Sequence, residues 1–265
     1  MTPTTSSDPT APADPTAPAG PADTTAPAAP ADPAPPGGAP GAGVTAVVAA
    51  ARGAHHGWLA DALAEVARDP DAAARLLPLA GRRVGRTPLR PATDPAGVVH
   101  GTVDDAARAA VVLALAGALR DDPPRLAEHL AARYRDGDTG ERRGVLRGLD
   151  ALTAAAGVLP GPVAAVGRDL AGDALRANDT SLVAAAVGPF AAAHLDQHTW
   201  RHAVVKLVFQ GTSLDAVAGL DDRADAELAR MARDLAAERR AAGRPVPADL
   251  ARLTAPADRT DPQEP

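Results

Sequence analysis

The stretch TVDDAARAAVVLALAGAL, residues 102–119, gives the clearest indication of the architecture. It begins with Thr102, a residue type that caps helices, and two aspartates follow where the first helical turn would lie. Beyond them the residues are apolar on nearly every side of a helical wheel. A helix with so little polar surface needs neighbours all around it, so the sequence predicts a central helix here.

The sequence on both sides of this stretch also shows helical spacing. Leu59, Leu63 and Val66, for example, recur at three- and four-residue intervals. Alanine, leucine, valine and arginine dominate, aromatic residues make up only 2% of the chain, and the alternation typical of strands is not visible. We therefore predict an all-α fold, a helix-turn-helix stack that is either a HEAT-like α-solenoid or an irregular helical bundle.

Composition divides the chain into three parts. Residues 1–43 are rich in proline, alanine and threonine and predict a disordered N-terminal tail. Residues 44–253 predict a single all-helical domain, which is long enough to bury its own core and starts with a short helix at 44–54. Residues 254–265 predict a flexible C-terminal tail.

Composition also excludes several classes of function. The chain has no cysteine, which excludes disulfides, thiolate metal sites and cysteine nucleophiles. A formal charge of −6 argues against nucleic-acid binding. The longest apolar run, residues 109–119, is shorter than the roughly 20 residues that span a bilayer, and no secretory signal is visible. We expect a cytoplasmic protein with no transmembrane segment and no nucleic-acid partner.

The segment TWRHAVVKLVFQG, residues 199–211, gathers residue types that are scarce in this chain. It holds the only lysine, Lys206, together with Trp200 and Phe209. On a helix, Trp200 falls on an apolar face that Phe209 widens, so we predict packing roles for both residues and for Trp58. A lysine titrates more readily than an arginine when it is desolvated. Lys206 therefore either has a chemical purpose or is the remnant of a preference for arginine codons.

The polar row around Lys206 suggests two further kinds of site. With His202 four residues before it, Lys206 predicts a base or an imine-forming nucleophile in an enclosed polar pocket. Alternatively, His194, His198 and His202 have the spacing of metal ligands on one helix. Asp196 has the position of a helix cap, however, which would place His194 outside the row. No P-loop, dinucleotide fingerprint or nucleophile elbow occurs, so no cofactor is predicted.

Two charged clusters need an explanation. Asp221, Asp222 and Asp225 have the spacing of the acidic motif that holds magnesium and diphosphate in isoprenoid synthases, but the scarcity of aromatics favours helix caps instead. The segment GRRVGRTPLR places several arginines in an irregular stretch, where guanidinium groups suit phosphate or carboxylate recognition. The anion-binding candidates are Arg82, Arg83, Arg86 and Arg90. The alternative is a helix C-terminus complemented by positive charge and followed by a solvated loop.

A series of scarce residues runs through the C-terminal half. In order, it comprises Asn178-Asp179, Leu195-Asp196, Trp200, Lys206, Phe209-Gln210-Gly211, Leu214, Gly219-Leu220-Asp221 and Arg223. This series resembles the EboA family, and TVDDAARA and YRDGDTGERRGVLRGL are similar to the earlier segments of that family. The resemblance covers most of residues 45–250. Two departures are GTSL in place of an expected GVPL, and LDDR in place of an expected LDRR.

The resemblance implies a non-catalytic helical scaffold or binding protein of an ebo-type operon, which assists the biosynthesis or export of a specialised metabolite or lipophilic precursor. Its partners would be proteins of the same operon or a lipophilic or prenylated small molecule. The family has no established catalytic residues, so none is carried over. The candidate functional polar cluster consists of Asn178, Asp179, His202, Lys206, Asp221 and Arg223. The lysine enzyme and the histidine metal site remain alternatives.

Overall fold

A computed structural model describes residues 56–254 of the chain. Within this range the regular structure is helical, with one isolated β-bridge and two short 3₁₀ turns, which confirms the all-α prediction. The predicted tail at 1–43, the predicted helix at 44–54 and residues 255–265 lie outside the described residues. None of the helices in the described range combines the length and the apolar character needed to cross a membrane.

Twelve α-helices follow one another along the described range. They are α1 (His56–Arg68), α2 (Ala73–Val84), α3 (Val103–Ala118), α4 (Pro123–Asp136), α5 (Thr139–Ala156), α6 (Gly161–Arg176), α7 (Thr180–Ala185), α8 (Pro189–His194), α9 (Gln197–Phe209), α10 (Leu220–Arg223), α11 (Ala226–Ala241) and α12 (Asp249–Thr254). Helix length ranges from 4 residues in α10 to 18 in α5. The regularity of a HEAT-like stack stays a prediction.

Helix α3 lies at the centre, as its sequence predicts. It begins with a capping box, in which the Thr102 amide donates a hydrogen bond to Asp105 Oδ2 at 3.0 Å. Helices α1, α2 and α5 all pack against it. The approach of α5 is close because a Cβ atom at Gly148 would lie 2.5 Å from Val112 Cγ1. Any larger residue at position 148 would push these two helices apart.

The other helices surround this centre. Helix α4 packs against α6, α5 against α8, and α9 against both α7 and α11. The core consists mainly of leucine, valine and alanine, and the Trp200 side chain is 0% exposed. Each fully buried large apolar side chain contributes about 1.5–3 kcal/mol relative to exposure. This packing fixes the positions of the helix ends, and several charged side chains lie at those ends.

One long irregular segment, which we call the 85–102 loop, connects α2 and α3. A single antiparallel bridge between Pro88 and Thr102 closes its base. The Leu89 amide donates to the Gly101 carbonyl at 3.1 Å next to this bridge. The two ends of the loop are therefore fixed to each other.

The inside of the 85–102 loop is held by side chains. Asp94 is buried and accepts hydrogen bonds from the amides of Val98 at 3.0 Å and His100 at 2.7 Å. From α5, Arg147 Nη2 donates to the Val99 carbonyl at 2.7 Å. Charge-assisted hydrogen bonds of this kind are among the stronger ones in proteins. They give the loop a defined conformation beside the central helix.

Candidate functional site

Lys206 closes the C-terminal end of a neighbouring helix. Its half-buried side chain reaches from α9 to the end of α6, where Nζ donates to the Leu175 carbonyl and, at 2.8 Å, to the Ala177 carbonyl. The last carbonyls of a helix have no partner within the helix, so they need donors from elsewhere. The lysine amine therefore supplies a helix end with two hydrogen bonds.

Arg223 does the same for α8. Its Nη1 donates to the carbonyls of Ala191 at 3.0 Å and Ala192 at 2.9 Å, and its Nη2 donates to the Leu195 carbonyl at 2.9 Å. The guanidinium carbon also lies 4.8 Å from the centre of the buried Trp200 ring, within cation–π range. Arg223 thus joins a helix end to the aromatic centre of α9.

Asn178 and Asp179 directly follow Ala177, whose carbonyl accepts from the Lys206 amine, but their side chains have other contacts. Asp179 Oδ1 caps α7, accepting from the amides of Ser181 at 2.9 Å and Leu182 at 3.2 Å. Burial acts to raise the pKa of Asp179, but the hydrogen bonds from the Ser181 hydroxyl and from these two amides outweigh it and lower the pKa. Asn178 is exposed, and its carbonyl accepts from Gln210 Nε2 at 3.5 Å. Neither side chain contacts the lysine amine.

The last two members of the predicted cluster are exposed. Asp221 lies in the first turn of the short helix α10. His202 lies on the outer face of α9, with its ring centre 4.4 Å from that of His198. The six residues predicted from sequence are therefore distributed over separate helix ends and surfaces, and the structure does not bring them around one pocket.

The row of three histidines is interrupted as the Asp196 cap predicts. Asp196 Oδ1 accepts from the Thr199 amide at 2.9 Å and begins α9, whereas His194 belongs to α8 and contacts the Phe190 ring. Burial, with a smaller contribution from Arg168, lowers the pKa of His194. Within residues 56–254 there is no group of three or more His, Cys, Asp or Glu side chains that could hold a metal ion.

The three predicted packing aromatics have different environments. Trp200 is fully buried, and Trp58 is half-buried between two apolar clusters. Phe209 is 53% exposed, so its predicted packing role is wrong. It is the last residue of α9, beyond the part of the helix that neighbours cover, although the helical wheel assigns it to the apolar side.

A buried ionic network lies between α2, α3 and α5, and sequence reasoning missed it. Asp104, Asp105 and Arg108 on α3 are each only 1% exposed. Arg108 Nη1 donates to Asp104 Oδ2 at 2.6 Å, and Arg108 Nε donates to the Leu77 carbonyl at 3.1 Å. A Cβ atom at Gly144 of α5 would lie 2.5 Å from Arg108 Cβ, so a glycine is needed where the arginine side chain passes.

The network continues from α3 to the cap of α7. Arg143 Nε donates to both oxygens of Asp105 at 2.9 Å, and Arg143 Nη1 donates to Ser181 Oγ at 3.2 Å. The Ser181 hydroxyl donates in turn to Asp179 Oδ1 at 2.6 Å. Asp104 and Arg108 lie four residues apart in an otherwise apolar helix, and this spacing indicates their ion pair from the sequence alone. Nothing local in the sequence indicates the later contacts.

Asp150 on α5 is a buried carboxyl group at the start of α8. Its Oδ1 accepts from the Phe190 amide at 2.9 Å, while its Oδ2 has no hydrogen-bond partner and lies 3.8 Å from Arg147 Nη1. Burial raises the pKa of Asp150 to about 7, despite the opposing effects of Arg147 and the amide. The gap beside the carboxyl group, lined by Leu149 and Ala186 among others, is too narrow to admit a water molecule.

The predicted anion-binding arginines are all exposed, and we call them the arginine surface. Arg82 and Arg83 lie in the last turn of α2, and Arg86 and Arg90 lie in the 85–102 loop. Neither Arg82 nor Arg83 forms an ion pair with any described residue. Their position at a helix C-terminus also complements the helix dipole.

Arg90 has no acidic partner among the described residues, and the one carboxylate near Arg86 is already bound by a second arginine. Arg86 is 71% exposed, and its Nε lies 3.8 Å from Asp104 Oδ2, the same oxygen that Arg108 binds at 2.6 Å. Arg90 Nη1 lies 3.4 Å from His100 Nε2. Burial and the Arg90 charge lower the pKa of His100, which favours the neutral ring that can accept from Arg90. These guanidinium groups therefore face solvent with their positive charge available.

The described range thus belongs to an all-α protein in which cationic side chains of one helix donate hydrogen bonds to the carbonyls at the end of another. A sequence model of the family described as metabolite traffic protein EboA matches residues 94–255, and the chain belongs to this EboA family. The match includes the buried ionic network, Lys206 and Arg223, whereas the arginine surface precedes it. No curated protein and no solved structure that was compared matches the chain.

Proposed function

We propose that this chain is a non-catalytic helical scaffold or binding protein, which assists the biosynthesis or export of a specialised metabolite or lipophilic precursor. The contact that carries this proposal is the engagement of the Lys206 amine by two helix-end carbonyls. An imine-forming lysine needs its amine directed toward substrate. Here the amine supports the junction of α6 and α9 instead.

The family supports the other half of the proposal. Its description as a metabolite traffic protein suits a role in handling a metabolite rather than transforming it. The scaffold would act in the cytoplasm and hold partners encoded in the same operon or a lipophilic small molecule. Helix ends closed by Lys206 and Arg223 would keep its surface rigid, which reduces the entropy lost on binding.

The test replaces the lysine in a way that keeps its helix contact. Arginine at position 206 retains a positive donor for the two carbonyls but cannot form an imine. A strain lacking the gene would receive the wild-type chain, Lys206→Arg or Lys206→Gln, and extracts would be compared by mass spectrometry. The readout is the metabolite whose level changes on deletion and returns with the wild-type chain.

We expect Lys206→Arg to restore that level within about twofold, because a scaffold needs the helix contact and not the amine chemistry. Circular dichroism of each purified variant separates loss of folding from loss of function. A folded Lys206→Arg protein that restores nothing would overturn the non-catalytic assignment. A deletion without any change in metabolite levels would overturn the role in metabolite handling.

A further inference from the structure

We propose that the arginine surface binds the phosphate or diphosphate group of an anionic small molecule. This inference deepens the binding role proposed above and rests on it, because it names the chemical group that the protein recognises. It depends on three features of the described residues: the arginines are grouped, their charge is available, and the loop that carries two of them is held in place.

The first feature is the grouping of the guanidinium groups. Arg86 Nε lies 3.2 Å from the position that a Cβ atom on Gly81 would take, so this side chain folds back over the last turn of α2. The same turn carries Arg82 and Arg83. Arg90 follows a residue of the bridged loop base and contacts His100 on the opposite side of that base. The last turn of α2 and the base of the loop that follows it thus carry all four exposed arginines.

The second feature is the scarcity of competing carboxylates, since the one that Arg86 approaches, Asp104, is buried and already bound by Arg108. Arg230 of α11, in contrast, is exposed but contacts Glu227 at 2.7 Å and Asp234 at 2.6 Å. Between positions 81 and 99 the only acidic residue is Asp94, which is buried and bound to loop amides.

The third feature is the fixed loop. The bridge at its base, the buried Asp94 and the hydrogen bond from Arg147 to the Val99 carbonyl restrain the backbone around Arg86 and Arg90. A restrained site loses less conformational entropy when a ligand binds. Arginine forks donate paired hydrogen bonds to phosphate oxygens, and a diphosphate offers more oxygens and more charge than a single carboxylate. Several exposed guanidinium groups with few competing carboxylates therefore favour a phosphate-bearing ligand.

The test measures binding of inorganic diphosphate to the purified full chain by isothermal titration calorimetry. The variant Arg86→Gln with Arg90→Gln removes two charges from the arginine surface. The matched control, Arg239→Gln with Arg240→Gln, removes two charges from the last turn of α11. Circular dichroism would check the fold of both proteins.

We expect the surface variant to weaken the affinity by about tenfold or more, since each lost contact is a charge-assisted hydrogen bond. The control should change it by less than about twofold, and added salt should weaken wild-type binding. Absence of binding to the wild-type chain, or equal loss in both variants, would overturn the assignment. This result is independent of metabolite levels in cells, so it separates failure of the ligand assignment from failure of the proposed function.

A second arm identifies the source of the phosphate group. Vesicles of phosphatidylcholine, with or without phosphatidic acid, would be sedimented with the wild-type chain and with the surface variant. Diphosphate binding without vesicle binding supports a soluble phosphate ester. Additional binding to phosphatidic acid that depends on Arg86 and Arg90 supports a lipid phosphate. Vesicle binding that is identical in the surface variant would contradict recognition by these arginines.

Discussion

Two arginines approach the same carboxylate of Asp104 in opposite surroundings. Arg108 is 1% exposed and binds Oδ2 at 2.6 Å, whereas Arg86 is 71% exposed and lies 3.8 Å from that oxygen. The buried pair has replaced its hydration by protein contacts, so removing either partner leaves an isolated charge in the interior. The exposed arginine keeps its water shell, and its contact with Asp104 has little energetic weight.

This difference in burial separates two roles of the cationic side chains in this molecule. Arg108 belongs to the group of cations that hold helices together, like Lys206 and Arg223 at their helix ends. Arg86 belongs to the arginine surface, where a charge is available to an external ligand. Substitutions at the first group should change stability, and substitutions at the second should change binding.

The largest effect is expected at the buried pair. Arg108→Met removes the cation that binds Asp104 Oδ2 and leaves this carboxylate buried without its closest positive partner. We expect the free energy of unfolding to fall by about 3–5 kcal/mol, measured by urea denaturation. The double variant Arg108→Met with Asp104→Leu should recover much of this loss, because it removes both charges. A loss below about 1 kcal/mol in the single variant would show that the pair is not desolvated as described.

Asp150 gives the next effect, which depends on pH. Its folded-state pKa of about 7 lies above the value of about 3.9 in an unfolded chain. The folded state therefore holds this proton more tightly, and the associated stability is present below about pH 4 and is lost as pH rises through about 7. Asp150→Asn cannot ionise but keeps an acceptor for the Phe190 amide.

The measurement compares the free energy of unfolding of both proteins at about pH 5 and about pH 8. From this group alone, we expect the wild-type chain to lose on the order of 2–3 kcal/mol between the two values and Asp150→Asn to lose none. The difference between the proteins removes the contribution of His100, whose lowered pKa acts in the opposite direction. Parallel pH profiles would contradict the raised pKa of Asp150.

The parts of the fold that could be predicted from sequence are those that depend on residues close together in the chain. A helix cap joins residues only two or three positions apart, so Thr102, Asp196 and Asp225 could be assigned from sequence, and each lies at the start of a helix. The apolar wheel of α3 likewise predicts its central place. At Phe209 the helical wheel of α9 predicted packing for a side chain that is exposed. A wheel gives the side of a helix on which a residue lies but not where the neighbouring helices end.

The contacts of the candidate site could not be predicted in this way. Lys206 meets the Ala177 carbonyl across 29 positions, and Arg143 meets Asp105 across 38. Such pairs depend on how the helices cross, which residue spacing does not encode. The arginine surface was predictable as a group because its four members lie within nine positions of each other. Its scarcity of acidic partners became visible only in the fold.

A moderate effect is expected at Lys206. Lys206→Met removes the half-buried amine that donates to two carbonyls at the end of α6, so the free energy of unfolding should fall by about 1–3 kcal/mol. Lys206→Arg, which keeps a cationic donor, should lose less. Thermal denaturation of the two variants side by side provides the measurement. A Lys206→Met protein as stable as the wild-type chain would remove Lys206 from the group of cations that hold helices together.

The smallest effect on stability, and the sharpest contrast, is expected at Arg86. Arg86→Gln and Arg108→Gln make the same chemical change next to the same carboxylate, so burial is the main variable between them. We expect Arg86→Gln to shift the free energy of unfolding by no more than about 0.5 kcal/mol, because its water-exposed contact contributes little. Urea denaturation in low and high salt checks this, and Arg108→Gln serves as the destabilised reference. A loss of unfolding free energy in Arg86→Gln comparable to that in Arg108→Gln would mean that the exposed guanidinium also supports the fold. The division between arginines that hold helices together and arginines available to a ligand would then fail at Arg86, where it is most easily measured.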